Sequence, residues 1–133
     1  MVYTFDSKSN AARLMSSSLI SSTKKHMLFE NIKLVVFVPL SHADIIRQAL
    51  GEAGAGKIGN YDFCSFSSRG TGRFRGDTNS NPTIGKAEVH EIVEEERIEV
   101  VVPREILKHV IAKMKEVHPY EEVAFDIYPL EDL

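Results

Sequence analysis

Tryptophan is absent from this 133-residue chain, and cysteine occurs once, as Cys64. A single thiol excludes an intramolecular disulfide, and a reducing, cytoplasmic setting is expected. Long hydrophobic runs are missing too: none approaches the ~20 residues that a membrane-spanning helix needs. Positive charge is not in excess, because 16 Lys and Arg face 19 Asp and Glu, for a net charge of −3. That balance supplies no basic field for nucleic acid or an anionic membrane, so neither is an expected partner. What is present is ordinary for one globular domain, 43% hydrophobic and 26% charged residues in a chain long enough for a core.

Met1–Asn31 differs from the rest. It is rich in serine, with scattered Leu14, Met15, Leu19 and Ile20 and no continuous apolar segment of a secretory leader. Ala11–Ile20 has weak amphipathic character that Ser16-Ser17-Ser18 interrupts. Residues 1–31 are expected to be a flexible extension, with Met27 as an alternative start, and residues 32–133 the folded domain.

The ordered pattern begins with Lys33–Val38, a run apolar on both faces (Leu34, Val36, Val38 and Val35, Phe37) and ended by Pro39. Such a strand must be covered on both sides. Ser41 is placed to cap a helix over 42–53 whose stripe is Ala43, Ile46, Leu50 and Ala53, with Gly51 and Gly54 as stops. The second half repeats the design. Arg97–Val102 is a strand ended by Pro103, a helix over 104–117 carries Leu107, Val110, Met114 and Val117 at matching spacing, and a strand over Glu122–Tyr128 follows.

Between the halves lies Gly54–Gly85, rich in Gly, Ser and Asn but punctuated by Tyr61, Phe63, Phe66, Phe74 and Ile84. It reads as a hairpin in which Asn60–Phe66 pairs with Thr71–Arg75 through Ser68-Arg69-Gly70. The order β-α-β, hairpin arm, β-α-β predicts an α+β, ferredoxin-like (split βαβ) sandwich. Helices would cover one sheet face. The other face, with Val35, Phe37 and Val101, would be an apolar patch that only self-association could hide.

Several motifs carry little chemistry. Gly51-Glu52-Ala53-Gly54-Ala55-Gly56-Lys57 has phosphate-loop spacing, but Ile58 supplies no hydroxyl and the segment leaves a helix instead of entering one. Arg75-Gly76-Asp77 is a three-residue match without weight. Glu94-Glu95-Glu96 reads as a solvated edge or turn, and Cys64 as a structural thiol.

The strongest local signal is His118-Pro119-Tyr120-Glu121-Glu122. Pro119 blocks the helix, so His118 falls at its C-terminal end, where a cationic imidazole is stabilised by the helix dipole. Imidazole followed by carboxylates could bind a divalent metal ion through His118, Glu121 and Glu122. The simpler reading is a helix end that also serves as a subunit contact.

From Lys33 to Leu130 the chain resembles the insert domain of the NIF-three-like family, often labelled type-two GTP cyclohydrolase I homologues. The matching segments are KLVVFVP, GAGKIGNYDFCSFSSRGTGRF, NPTIG, EERIEVVVP and HPYEEVAFDIYPL. The resemblance implies a PII- and CutA-like fold, and CutA proteins carry an HPYE-type stretch and form trimers. A homo-oligomer, trimer favoured over dimer, is therefore expected. Full-length relatives hold a dinuclear metal site in two halves flanking this insert. Neither half is in this chain, so a non-catalytic module is expected. One departure is Glu88, where the family pattern usually has glycine.

The expected function is an oligomeric binding or regulatory module. A small ligand would be lined by Asn60, Tyr61, Cys64, Ser65, Thr71, Arg97, Glu99 and Tyr120. A divalent ion is a further expectation at His118, Glu121 and Glu122. The alternatives are a small metal-dependent hydrolase at those same three residues, or a protein-interaction module gripping through Ser68–Asn81.

Overall fold

The computed structural model describes residues 30–132. The extension expected over 1–31 lies, but for Glu30 and Asn31, outside them. The elements are β1 (Asn31–Pro39), α1 (Ala43–Glu52), β2 (Phe66–Arg75), β3 (His90–Pro103), α2 (Leu107–Val117) and β4 (Phe125–Leu130). The four strands form one antiparallel sheet in the order β2-β3-β1-β4, the ferredoxin-like arrangement.

The repeated design is real. Pro39 and Pro103 each end a strand in extended geometry, and each leads into one turn of 3-10 helix, Leu40–His42 and Arg104–Ile106, before α1 and α2. Proline sets this switch because it cannot donate to a ladder and its φ suits the turn that follows. The Ser41 cap does not form. The Ser41 hydroxyl instead bonds His42 Nδ1 at 2.8 Å, and Ala43 N–H is satisfied by the Leu40 carbonyl in the 3-10 turn.

The core lies between helices and sheet. Leu34, Val36 and Val38 of β1 and Ile98, Val100 and Val102 of β3 meet Ala43, Ile46 and Leu50 of α1 and Val110 and Met114 of α2. Burying each large aliphatic side chain is worth roughly 1.5–3 kcal/mol. The apolar spacing in both helices therefore does what it predicts. α1 runs through Gly51 to Glu52, and the stop falls at Gly54, with φ +106°.

Three expectations are corrected. First, Ser68-Arg69-Gly70 is not a turn. β2 runs straight through it and pairs along its length with β3, from Phe66 opposite Glu99 to Arg75 opposite His90. Glycine serves here as space: a Cβ on Gly72 would collide with the Glu95 carboxylate. Glu94-Glu95-Glu96 is accordingly mid-strand in a β3 longer than the expected Arg97–Val102. Second, Asn60–Ser65 is not a strand. It belongs to a folded loop tied by Gly56 N–H to the Val101 carbonyl (2.8 Å) and Cys64 N–H to the Gly56 carbonyl (2.9 Å). β4 likewise starts at Phe125, three residues later than expected.

Third, the uncovered sheet face is not a bare apolar patch. Val35 is fully buried in the single chain, and its cross-strand neighbours are Glu99 and Asp126. Lys33 Nζ stands 3.3 Å and Arg97 Nε 3.1 Å from the Glu99 carboxylate. The Arg97 guanidinium lies over the Phe37 ring at 5.6 Å. Long charged side chains can lay apolar stems on a surface while keeping their heads in water, and periodicity does not register that cover.

Candidate functional site

α2 ends at Val117, and His118 leaves the helix with extended geometry while its N–H still bonds the Met114 carbonyl at 3.1 Å. Pro119 forces that exit. It directs the imidazole toward the end of β1, beyond the point where β4 stops pairing. There His118 Nε2 donates to the Phe37 carbonyl at 2.8 Å, and His118 Nδ1 accepts the Tyr120 N–H at 3.1 Å. A backbone N–H can only donate, so the ring is neutral with its proton on Nε2. His118 is buried. Burial pushes its pKa below the ordinary histidine value, with His42 acting in the same sense and the Phe37 carbonyl and Glu95 opposing. The expectation of a charged imidazole at the helix terminus is thereby corrected: desolvation outweighs the dipole.

Tyr120 extends the arrangement across the sheet end. Its ring lies 5.0 Å from His118 and 6.5 Å from Phe74, centre to centre, and its hydroxyl donates to Glu95 Oε2 at 2.7 Å. Burial, reinforced by that carboxylate, raises its pKa above the ordinary phenol range. The loop after β2 closes onto the same segment. The Thr83 hydroxyl bonds the Pro119 carbonyl, and Asn81 N–H donates to Glu121 Oε1 at 2.8 Å. His118–Glu121 thus clasps β1, β3 and the 76–89 loop together. Within that loop Glu88 keeps φ +64°, the backbone region that a glycine would favour.

The sequence-predicted residues divide accordingly. His118 and Tyr120 are brought into contact. Arg97 and Glu99 form an ion pair on the uncovered face, where the Arg97 bond holds the Glu99 carboxyl below its usual range. Asn60 and Tyr61 sit in the exposed loop, where Ile58 and Tyr61 exchange backbone hydrogen bonds at 2.9 Å and the Tyr61 side chain is 75% exposed. Cys64 is half-buried, its Sγ 3.8 Å from the Asp62 carbonyl. Ser65 and Thr71 are exposed on the loop and on β2. These five do not converge with the others on one cleft.

The three residues expected as metal ligands are also spread. Both His118 nitrogens are engaged, Glu121 is turned to Asn81, and Glu122 is exposed. Among the described residues no group of three or more His, Cys, Asp and Glu side chains is placed to hold a metal ion. Sequence reasoning missed Glu95, Asn81, Thr83 and the Phe37 carbonyl. The one available signal was alternation: in an extended strand Glu95 must face opposite to Glu94 and Glu96.

No family model matches the chain. The GTP cyclohydrolase 1 type 2 homolog of Halalkalibacterium halodurans is 46% identical over 125 residues, 94% of this chain and 33% of that protein. That of Bacillus subtilis is 50% identical over 99 residues, 74% of this chain and 26% of that protein. Among solved structures, a Bacillus cereus protein related to NIF3 superposes with a TM-score of 0.66 at 48% identity, covering 79% of this chain and 27% of that one. The periplasmic divalent cation tolerance protein CutA of Archaeoglobus fulgidus superposes with a TM-score of 0.57 at 18% identity, covering 77% of this chain and 86% of that one. The second likeness is one of fold alone. The chain spans about a quarter to a third of the length of the curated relatives it matches. Among the described residues, no helix is long and apolar enough to cross a membrane.

Proposed function

We propose that this chain, homologous to one segment of the NIF3-related GTP cyclohydrolase 1 type 2 homologs, is a CutA-like binding or regulatory module that works as a homo-oligomer and is not itself catalytic. The observation that carries this reading is the clasp at His118–Glu121. Both nitrogens of His118, the Tyr120 hydroxyl and a Glu121 oxygen are all spent on tying elements together. A general base needs a free lone pair aimed at a substrate proton, and His118 has none to offer. The most distinctive stretch of the sequence therefore reads as architecture.

Self-association is supported by the sheet edges. β2 is an edge strand of ten residues, and its Phe66 side chain is 67% exposed. A long open edge is a template for pairing with another chain. The opposite edge, β4, is a different strand of six residues. Unlike edges join head to tail, and a head-to-tail contact whose rotation closes builds a ring of more than two copies. That favours a trimer over a dimer. Light scattering on the purified chain tests this: a mass of three chains is expected, and a single-chain mass at every concentration overturns the oligomer. Turnover of GTP by the same preparation would overturn the non-catalytic part.

A further inference from the structure

A cleft of about 300 Å³ opens between α1 and β2, on the helix-covered side of the sheet, lined by Arg47, Ser67, Ser68, Arg69 and Glu96. It is built within one chain and is separate from the His118–Glu121 clasp, so the inference goes beyond the function proposed above and needs no second copy. Arg47 projects from α1 and is fixed there. Its Nη2 meets Asp44 at 2.5 Å, and its Nη1 bonds Glu96 and, at 3.1 Å, the Ser67 hydroxyl. Arg47 is shared between two carboxylates, Asp44 and Glu96, so the positive charge free to meet an anion must come from another residue.

Arg69 is the other cation at the cleft. It stands opposite Glu96 in the β2–β3 ladder, it is exposed, and among the described residues no carboxylate is paired with it. The held Arg47, the uncommitted Arg69 and the Ser67 hydroxyl share the helix-covered face at a single opening, whereas Ser68, opposite Arg97, turns its side chain to the other face. Such a set of forked cations and an O–H donor matches a group with several charged oxygens, where bidentate charge-assisted hydrogen bonds are strongest. The volume is at the small end of the range for metabolite pockets.

We propose that the Arg47–Arg69 cleft is a binding site for the phosphate group of a small metabolite, with Arg69 as the principal anion contact, Ser67 as a hydroxyl donor and the exposed backbone around Ser68 at its rim. Inorganic phosphate is the probe. Titrated into the full chain at constant ionic strength, it is expected to shift the backbone amide signals of Ser67, Ser68 and Arg69 saturably. Arg69→Ala should weaken that binding by about tenfold or more, Arg69→Lys by less because the bidentate fork is lost while the charge stays. Arg69 is exposed, so in both variants the fold and the light-scattering mass should not change, which separates this outcome from failure of the oligomer reading. Shifts that do not saturate, that chloride reproduces, or that Arg69→Ala leaves intact would overturn the proposal.

Discussion

The Tyr120 hydroxyl donates to Glu95 Oε2 at 2.7 Å, joining the segment after α2 to the middle of β3 across 25 residues of sequence. The carboxylate can lie there because Gly72, on the neighbouring strand, has no side chain to obstruct it. Three features that look unrelated along the chain, a glycine in a turn-like run, a glutamate in an acidic run and a tyrosine after a proline, are one contact in space.

Removing that contact should be measurable. Tyr120→Phe keeps the ring against His118 and Phe74 but loses the hydrogen bond to a carboxylate, for which about 1.5–3 kcal/mol is usual when the group is buried. Tyr120 is only partly buried, so about 1 kcal/mol is expected in urea unfolding, with an unchanged slope. Gly72→Ala should cost more, because the Glu95 side chain must move away from both partners. Equal stability of Tyr120→Phe and the parent would show that the bond contributes nothing net.

Acid should act through His118. Its folded pKa is lowered, chiefly by burial, whereas in the unfolded chain it returns to about 6.5. Below that value the unfolded state binds a proton that the folded state refuses, so stability falls as pH drops from about 6.5 toward the depressed folded value and is fully present above it. Protonating Nδ1 would also turn a donor against the Tyr120 N–H. His118→Asn should flatten this part of the pH dependence. The direct check is the NMR titration of the His118 ring, and a midpoint at or above the ordinary value refutes the claim.

Glu88 holds φ +64° without being glycine. That backbone region costs a side-chain-bearing residue roughly 1–2 kcal/mol, partly offset by the greater unfolded-state freedom a glycine would bring. Glu88→Gly should therefore stabilise the chain by about 0.5–1 kcal/mol, while Glu88→Ala gains nothing because the strain stays. Thermal unfolding of the two variants side by side decides it.

Gly51 gives the opposite lesson. In most helices Gly→Ala stabilises by about 1 kcal/mol, but here the Phe63 ring occupies the space a Cβ would take. Gly51→Ala alone should be destabilising, and the usual gain should return in a Phe63→Ala background. A double-mutant cycle in denaturant reads the coupling directly, and additivity of the two changes would contradict the packing.

What could be read from residue order was the part governed by local rules. Pro39 and Pro103 announce two strand ends, the Ile46–Leu50 and Val110–Met114 spacings announce two helix faces, and their repetition announces the split βαβ plan. Each rests on steric or periodic constraints that act within a few residues. The middle of the chain was misread for the same reason. Ser68-Arg69-Gly70 carries a local turn signal, and nothing nearby in sequence reveals that Glu95, more than twenty residues away, needs the emptiness of Gly72 in the same run. The charge of His118 was likewise misjudged, because a helix end is a local feature and burial is not.

The sequence by itself determined two strand-to-helix units with a shared apolar core, since those patterns leave the chain few other ways to bury its aliphatic side chains. Only the tertiary structure decided the register of β2 on β3, the placing of Val35 between Glu99 and Asp126, and the meeting of Arg47 with Glu96. Those depend on which surfaces come together after collapse, and hydrogen bonds and ion pairs between distant residues are chosen there, by geometry and desolvation, not along the chain.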